Sequence, residues 1–260
     1  MSRTALDPVA SAAVITQARE GRTPRPLDFP AALRPRDAAE AYAVQDAVVR
    51  ARGPIAGWKV GAASPQAQPA RAALTRDSVW VAAAGEPVML AASGFAVMGV
   101  EAEWVYELRA DLPARATPYS AAEVLAAVVS VRAAIEVCDT RFAAWAQQGE
   151  WSRLADQACH GALVVGTGTH DVATAQPLAQ AVTLSVNGAV AVQHATWGNP
   201  AGDPLRLLVW LANEGARSLG GLRAGHWVTT GSCTGTVLVA PGAEVVADFP
   251  GLGQAVLHLR

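Results

Sequence analysis

Three acids and one amine have the spacing to do chemistry together. Glu101 and Glu103 lie in Gly99-Val-Glu-Ala-Glu-Trp-Val-Tyr-Glu107, and Glu136 lies in Ala134-Ile-Glu-Val-Cys-Asp-Thr-Arg141. The first run alternates, with Met98, Val100, Ala102, Trp104, Tyr106 and Leu108 on one side and Glu101, Glu103 and Glu107 on the other, which is strand patterning. Carboxylates two residues apart on a strand are about 6.5–7 Å apart at the backbone, and their like charges resist joint ionisation. The second run, from Val131 to Cys138, also reads as a strand, with Glu136 between Ile135 and Val137. A lone carboxylate is costly to bury there. Two arrangements fit: a solvent-washed acidic strand with one edge glutamate, or neighbouring strands whose three carboxylates converge on a hard divalent cation such as Mg²⁺ or Mn²⁺. The amine is Lys59, the one lysine among 20 Lys and Arg residues. Its ammonium can surrender a proton, which a guanidinium does not do.

The elements that must position these groups follow from local signals. Asp7-Pro8 caps a helix running to about Glu20, and Asp37 with Glu40 opens another through about Ala51 that Gly53-Pro54 ends. Between them Pro24, Pro26 and Pro30 mark an extended connector. Residues 1–54 therefore read as an N-terminal helical lobe and 55–260 as a β-rich body. Strands are expected at Ile55–Gly61 (carrying Lys59), Ser78–Val81, Pro87–Leu90 and Val97–Leu108, with breaks at Gly85 and Gly94. Ser120 with Glu123 caps a helix through about Ser130, and Phe142–Leu154 reads as helical or irregular. Strands follow at Ala162–Val165 and Val182–Val186, then an Asn187-Gly188 hairpin into Ala189–His194. Asp203-Pro204 opens a helix expected to end near Gly220-Gly221, and strands at Trp227–Thr230, Thr236–Ala240, Glu244–Ala247 and Ala255–Leu259 close the chain. So many strands with few helices between them predict an α+β fold with a mixed, mainly antiparallel β core and flanking helices.

Composition excludes several function classes. A net charge of −2 without a basic stripe argues against a nucleic-acid partner. No apolar run approaches the roughly 18–20 residues a membrane span needs. Cys138, Cys159 and Cys233 have no CxxC spacing and read as small buried hydrophobes in a reducing, cytoplasmic setting. His160, His170, His194, His226 and His258 lack zinc-site spacing, and neither Gly161-Ala-Leu-Val-Val-Gly-Thr-Gly168 nor Gly231-Ser-Cys-Thr-Gly235 has phosphate-loop spacing. The second glycine loop can still present the Ser232 and Thr234 hydroxyls to a ligand. Arg141 is placed either to pair with Asp139 or to hold the acidic site or a substrate carboxylate.

Taken in order, Gly57-Trp-Lys-Val-Gly-Ala-Ala-Ser64, the Glu101/Glu103 pair, Ile135-Glu-Val-Cys-Asp-Thr-Arg141, Asn213, Leu222-Arg-Ala-Gly225 and Thr230-Gly-Ser-Cys-Thr-Gly235 resemble one family. It is the 2-keto-4-pentenoate hydratase and 4-oxalocrotonate decarboxylase branch of the fumarylacetoacetate hydrolase superfamily, and the likeness spans about Ala39 to Leu257. The resemblance implies a β-roll core and a Mg²⁺ or Mn²⁺ ion held by Glu101, Glu103 and Glu136. It places Lys59 in the pocket, with Asp77 where the family has an acid facing the substrate, and it implies a homo-oligomer. Ser64, Cys159, Arg141, Ser232 and Thr234 are then candidate substrate contacts, and Lys59 and Asp77 candidate proton movers. The implied reaction is addition of water to a 2-hydroxy-2,4-dienoate, giving a 4-hydroxy-2-oxo acid in aromatic-compound degradation. Decarboxylation of a 4-oxalocrotonate-type acid and cleavage of an acylpyruvate are alternatives of the same chemistry. A non-catalytic binder of a small dicarboxylate is an alternative of another class. Ala155-Asp-Gln-Ala-Cys-His-Gly161 departs from the family pattern, Cys159 and His160 standing where the family has serines, and His226 stands where an Asp is common.

Overall fold

The computed structural model describes residues 5–83, 86–145, 147–173 and 175–260. The helices are α1 (Pro8–Arg19), α2 (Ala38–Arg52), α3 (Ala121–Ala126), α4 (Glu150–Ala155) and α5 (Pro204–Trp210). The strands run β1 (Ile55–Gly61), β2 (Ala70–Thr75), β3 (Val79–Val81), β4 (Val88–Leu90), β5 (Gly99–Leu108), β6 (Leu112–Pro113), β7 (Val128–Cys138) and β8 (His160–Thr169). They continue with β9 (Val182–Val186), β10 (Ala189–His194), β11 (Gly221–Leu222), β12 (Trp227–Ser232), β13 (Val237–Leu238), β14 (Glu244–Phe249) and β15 (Gly253–Leu259). The turn expected at Gly85 lies outside the described residues.

The large sheet is ordered β2-β1-β12-β5-β7-β8-β3, with β13 added to β5, and a second sheet is ordered β10-β9-β14-β15-β4. The pairs β1–β12, β3–β8 and β4–β15 are parallel and the other pairs in these sheets are antiparallel. This is the mixed, mainly antiparallel α+β architecture that the strand count predicts. Alternation along β5 and β7 decides what lies where. Val100, Ala102, Trp104 and Tyr106, with Ala133, Ile135 and Val137, join Leu184, Val245, Ala247 and Leu257 of the second sheet in the main core. The Trp104 ring meets Trp197 and Phe249 edge-on at 5.6 and 6.5 Å there. The other face of the same two strands carries the glutamates.

Several boundaries differ from expectation for identifiable reasons. The Ser120 capping box forms, but α3 stops at Ala126 because the β-branched run from Val128 enters the sheet opposite β5. The helix opened by Asp203-Pro204 is α-helical only to Trp210 and continues as a π turn over Leu211–Gly215. Gly215 permits this, since a Cβ there would come within 2.7 Å of the Trp210 ring. Ala-Arg-Ala-Ala-Leu-Thr of β2 has no alternation and was not expected as a strand; it is buried along most of its length beside β1.

Helices α1, α2 and α4 share a smaller apolar cluster containing Ile15, Phe29, Val44, Val48, Phe142 and Leu154. Arg71 of β2 ties α2 to the sheet. Its buried guanidinium donates to Asp46 at 2.8 Å, Gln45 at 3.1 Å, the Gly215 carbonyl at 2.9 Å and Ser218 at 3.0 Å. It also lies over the Tyr42 ring at 4.5 Å. On the far side of β1, His226 Nδ1 accepts from the Trp58 indole at 3.2 Å and from the Arg223 backbone at 3.1 Å.

Two measurements follow from these buried polar contacts. Arg71→Met leaves Asp46 buried without its main partner and should cost about 3–5 kcal/mol in urea unfolding. His226 has its pKa lowered to about 4, first by burial and then by Arg223. The unfolded chain therefore binds more protons than the folded one between about pH 6.5 and 4, and stability falls as pH drops through that window. His226→Asn, which still offers an acceptor to Trp58, should lessen the fall in urea midpoint between pH 7 and 5.

Candidate metal centre

Register brings the acids together. β5 and β7 pair so that Glu101 lies directly opposite Glu136, Gly99 opposite Cys138 and Glu103 opposite Ala134. β1 enters from beyond β12, so Lys59 reaches the same face two strands away. Its ammonium donates to Glu136 Oε1 at 2.7 Å and to the Ala158 carbonyl at 3.0 Å. His160 Nδ1 lies 2.9 Å from the same Glu136 oxygen, and its Nε2 lies 3.0 Å from Ser78 Oγ. A carboxylate only accepts, so a neutral ring donates from Nδ1, and its Nε2 is left as an acceptor facing the Ser78 hydroxyl, whose single hydrogen it shares with the Thr75 carbonyl at 2.9 Å. Among the described residues, Glu136 Oε2 is buried with no hydrogen-bond partner. An unsatisfied carboxylate oxygen in such a place is costly, and a cation relieves it.

Glu101 is half-buried and accepts from Thr236 Oγ1, and buried Glu103 accepts from Thr229 Oγ1 and from the Gly231 backbone at 3.1 Å. One oxygen each of Glu101 and Glu136 and the Cys138 sulfur all lie within 4.8 Å of one another. Glu103 is not part of that group, because its Oε2 is turned to Thr229 and Gly231.

The electrostatics show the strain of gathering like charges. Burial, then Glu136, pushes the Glu101 carboxyl up; burial, then Glu136 and Glu101, pushes Glu103 well up. Burial acts on Glu136 in the same sense, but Lys59 and His160 outweigh it and hold its pKa at about 2. Burial pulls Lys59 down, and Glu136 outweighs that, so the amine is held as an ammonium. Burial lowers His160 to about 4, keeping the ring neutral. Three carboxylates against one ammonium leave a charge that a divalent cation matches, and an all-carboxylate oxygen set suits a hard one.

The wall beside Lys59 is an unusual turn. Gln157, Ala158 and Cys159 all have positive φ, at 51°, 48° and 63°. Arg141 braces it: the guanidinium donates to the Asp156 carboxylate, to the His160 carbonyl at 2.6 Å and to the Asp156 carbonyl at 2.7 Å. Gln157 adds a bond to the Gln45 carbonyl of α2 at 3.2 Å. Behind the turn, Cys159 borders a cavity of about 510 Å³ whose wall includes Tyr42, Trp151, Leu154 and Trp210.

The other expected contacts are placed variously. Ser232 lies opposite Glu103, and Thr234 Oγ1 accepts from the Ala102 backbone at 3.1 Å, so the glycine loop drapes over β5. Ser64 caps its own turn by accepting from Ala67 at 3.1 Å. Arg141 is buried, its guanidinium donating within the 156–160 turn and lying 3.9 Å from the Asp139 carboxylate, the pairing expected from their spacing. Asp77 is not brought to the cup: its carboxylate pairs with Arg52 and Thr75, and its side chain is 57% exposed. Its neighbour Ser78 is the residue that reaches inward, to His160. The sequence reading missed Cys138 and Ser78 as members of the site and gave His160 no partner. The i, i+2 spacing of Glu136 and Cys138 on a strand was the available signal for the cysteine.

Residues 53–260 match the family model described as fumarylacetoacetate (FAA) hydrolase C-terminal. The chain is 32% identical over 232 residues to a 2-keto-4-pentenoate hydratase of Burkholderia vietnamiensis, covering 84% of each. It is 30% identical over 184 residues to a 4-oxalocrotonate decarboxylase of a Pseudomonas species, covering 70% of this chain and 66% of the relative. Among solved structures, 4-oxalocrotonate decarboxylase from Pseudomonas putida G7, complexed with magnesium and adipate, superposes over 100% of both chains with a TM-score of 0.83 at 25% identity.

The left-handed turn yields a test of opposite sign to most substitutions. An L-residue in this region costs about 1–2 kcal/mol, part of which glycine recovers after its larger unfolded-state entropy is counted. Ala158→Gly should therefore stabilise the protein by about 0.5–1 kcal/mol in chemical unfolding. A clear loss of stability would refute the strained geometry.

Proposed function

The chain belongs to the fumarylacetoacetate hydrolase family, and from that premise we propose that it is a metal-dependent hydratase of a 2-hydroxy-2,4-dienoate. One observation carries the reading: Lys59 and His160 both bind Glu136 Oε1, the buried Oε2 has no hydrogen-bond partner among the described residues, and one oxygen of Glu136 lies within 4.8 Å of one of Glu101. Glu101, Glu103 and Glu136 would hold Mg²⁺ or Mn²⁺, with Glu103 swinging from Thr229. Bound there, the cation supplies Lewis-acid stabilisation of negative charge developing on the C2 oxygen of a 2-oxo or 2-hydroxy acid.

The protein's own groups do the rest. Lys59, kept as an ammonium by Glu136, offers a proton and a positive charge to the substrate's oxygens. Its contact with the Ala158 carbonyl fixes the amine's direction. Ketonisation takes the proton from the 2-hydroxyl and adds one at C5, giving a 2-oxo-3-enoate. Water then adds at C4, and a proton goes to C3, giving the 4-hydroxy-2-oxo acid. Lys59 is the assigned proton carrier. Asp77, paired with Arg52, receives no role in this scheme. Ser232 and Thr234 on the loop over β5, and Cys159 on the cavity wall, are the candidate substrate contacts in this scheme, with Ser64 and Arg141 holding their own turns.

A second reading, decarboxylation of a 4-oxalocrotonate-type acid, is favoured by the whole-chain likeness to that decarboxylase. The cavity beside Cys159 favours hydration: Tyr42, Trp151, Leu154 and Trp210 suit an uncharged tail, and Arg153 on this wall is accompanied by Glu150. We place the enzyme in the cytoplasm, with its three free cysteines reduced, as a homo-oligomer acting on small acids.

Purified protein with Mg²⁺ or Mn²⁺ should turn over 2-hydroxypenta-2,4-dienoate. CO₂ release from 4-oxalocrotonate would select decarboxylase, and cleavage of an acylpyruvate would select hydrolase. Silence with all three despite bound metal would select a binding protein. Glu101→Gln should keep the fold by circular dichroism while losing metal binding by calorimetry and losing turnover. A metal-loaded, active variant would refute the assignment.

A further inference from the structure

Cys138 has no place in the scheme above, yet it occupies the cup. It follows Glu136 by two residues on β7, so both side chains leave the same face. Its register partner on β5 is Gly99, so no side chain from that position comes between β5 and the cysteine. A Cβ at Gly99 would stand 3.4 Å from the Cys138 Cβ and 2.5 Å from Thr236 Cγ2, so glycine is what the packing there admits. The Cys138 sulfur lies within 4.8 Å of one oxygen each of Glu101 and Glu136, while Glu103 faces Thr229 and Gly231 instead. Independently, Glu136 is fully buried and its Oε2 has no partner.

We propose that Cys138, Glu101 and Glu136 form a mixed sulfur–oxygen site that takes a borderline divalent cation of the Zn²⁺ or Co²⁺ class, in competition with the hard cation of the all-carboxylate set. This rests on the reading that the cup binds a cation, and not on which reaction it performs. Ligands of a tetrahedral zinc site lie about 3.3–3.8 Å apart, so closing the three atoms around one ion takes side-chain shifts of about an ångström. A thiolate discriminates in favour of such ions because its sulfur is soft, whereas Mg²⁺ prefers oxygen. Binding converts the thiol to a metal-bound thiolate and releases its one proton to solvent, with no change of oxidation state. Glu103, left outside this set, keeps its bonds to Thr229 and Gly231, so the two modes differ by the exchange of one carboxylate for one sulfur.

The test is a titration of the metal-free full-length protein with Co²⁺, read by absorbance. The expected result is a near-ultraviolet thiolate-to-cobalt charge-transfer band saturating at one equivalent. Cys138→Ala, which retains Cys159 and Cys233, should lose the band. By competition calorimetry it should bind Zn²⁺ at least about tenfold more weakly, with Mg²⁺ affinity changed by less than about threefold. Stoichiometric Co²⁺ binding to the wild type without the band overturns the proposal, and this measurement needs no variant. Persistence of the band in Cys138→Ala overturns it as well. Failure of the wild type to bind Mg²⁺, Mn²⁺ and Co²⁺ alike would overturn this inference and the proposed function together. Mg²⁺ binding with a bandless Co²⁺ complex would remove this one alone.

Discussion

The structure turns on two glutamates that face each other across adjacent strands. Glu101 and Glu136 are register partners in the middle of the large sheet, where like charges directly opposite are unfavourable. An ordinary sheet would remove one of them or turn it to water. Here Glu136 is fully buried, and Lys59 and His160 bind a single one of its oxygens. The carboxylate is therefore fixed in rotation by its Oε1, and its Oε2 is buried without a hydrogen-bond partner among the described residues. On the proposed function, a cation between the two glutamates would offset their repulsion. The remaining features of the site hold this geometry against its own electrostatics.

Two buried guanidiniums do much of that holding. Arg71 gathers Asp46 and Gln45 of α2 with the π turn at Gly215, fixing α2 against β2. Gln157 then hydrogen-bonds back to α2, and Arg141 fastens both sides of the left-handed turn that presents the Ala158 carbonyl to Lys59. The ammonium is thus oriented by a carbonyl whose position depends on a helix far from it in sequence. Strained backbone of this kind persists where surrounding contacts over-determine it. The chain of contacts here is continuous from Arg71 to Lys59.

Much of this was legible in the sequence because strand alternation is a strong local signal. The polar face of Glu101 and Glu103, the Asn187-Gly188 hairpin and the caps at Asp7, Asp37, Ser120 and Asp203 all appear as read. Local patterning cannot show non-local partners. Asp77 and Ser78 are neighbours, and sequence offers no way to tell that the serine reaches inward while the aspartate meets Arg52. Arg141 looked equally suited to a ligand and to an internal acid, and it took Asp156, fifteen residues away, as its main partner. β2 was invisible because a strand buried on both faces does not alternate. Gln157, Ala158 and Cys159 carry no turn signature at all, since tertiary contacts impose their conformation.

The departures at 159 and 160 take their meaning from which oxygen of Glu136 they touch. His160 contacts Oε1, already the partner of Lys59, and leaves Oε2 alone. A serine side chain is shorter than an imidazole and does not bridge Glu136 to Ser78 as this ring does. The ring is thus a second fixed donor on Glu136 beside Lys59. Such a donor withdraws charge from the carboxylate and stiffens it, and were Glu136 a metal ligand it would tune affinity in the same way. Cys159 borders the cavity instead, where its thiol adds a weakly polar surface to a wall containing Trp151, Leu154 and Trp210. The two neighbours therefore face different ways: His160 braces the rear of the anionic cup, and Cys159 belongs to the apolar-walled space beside it.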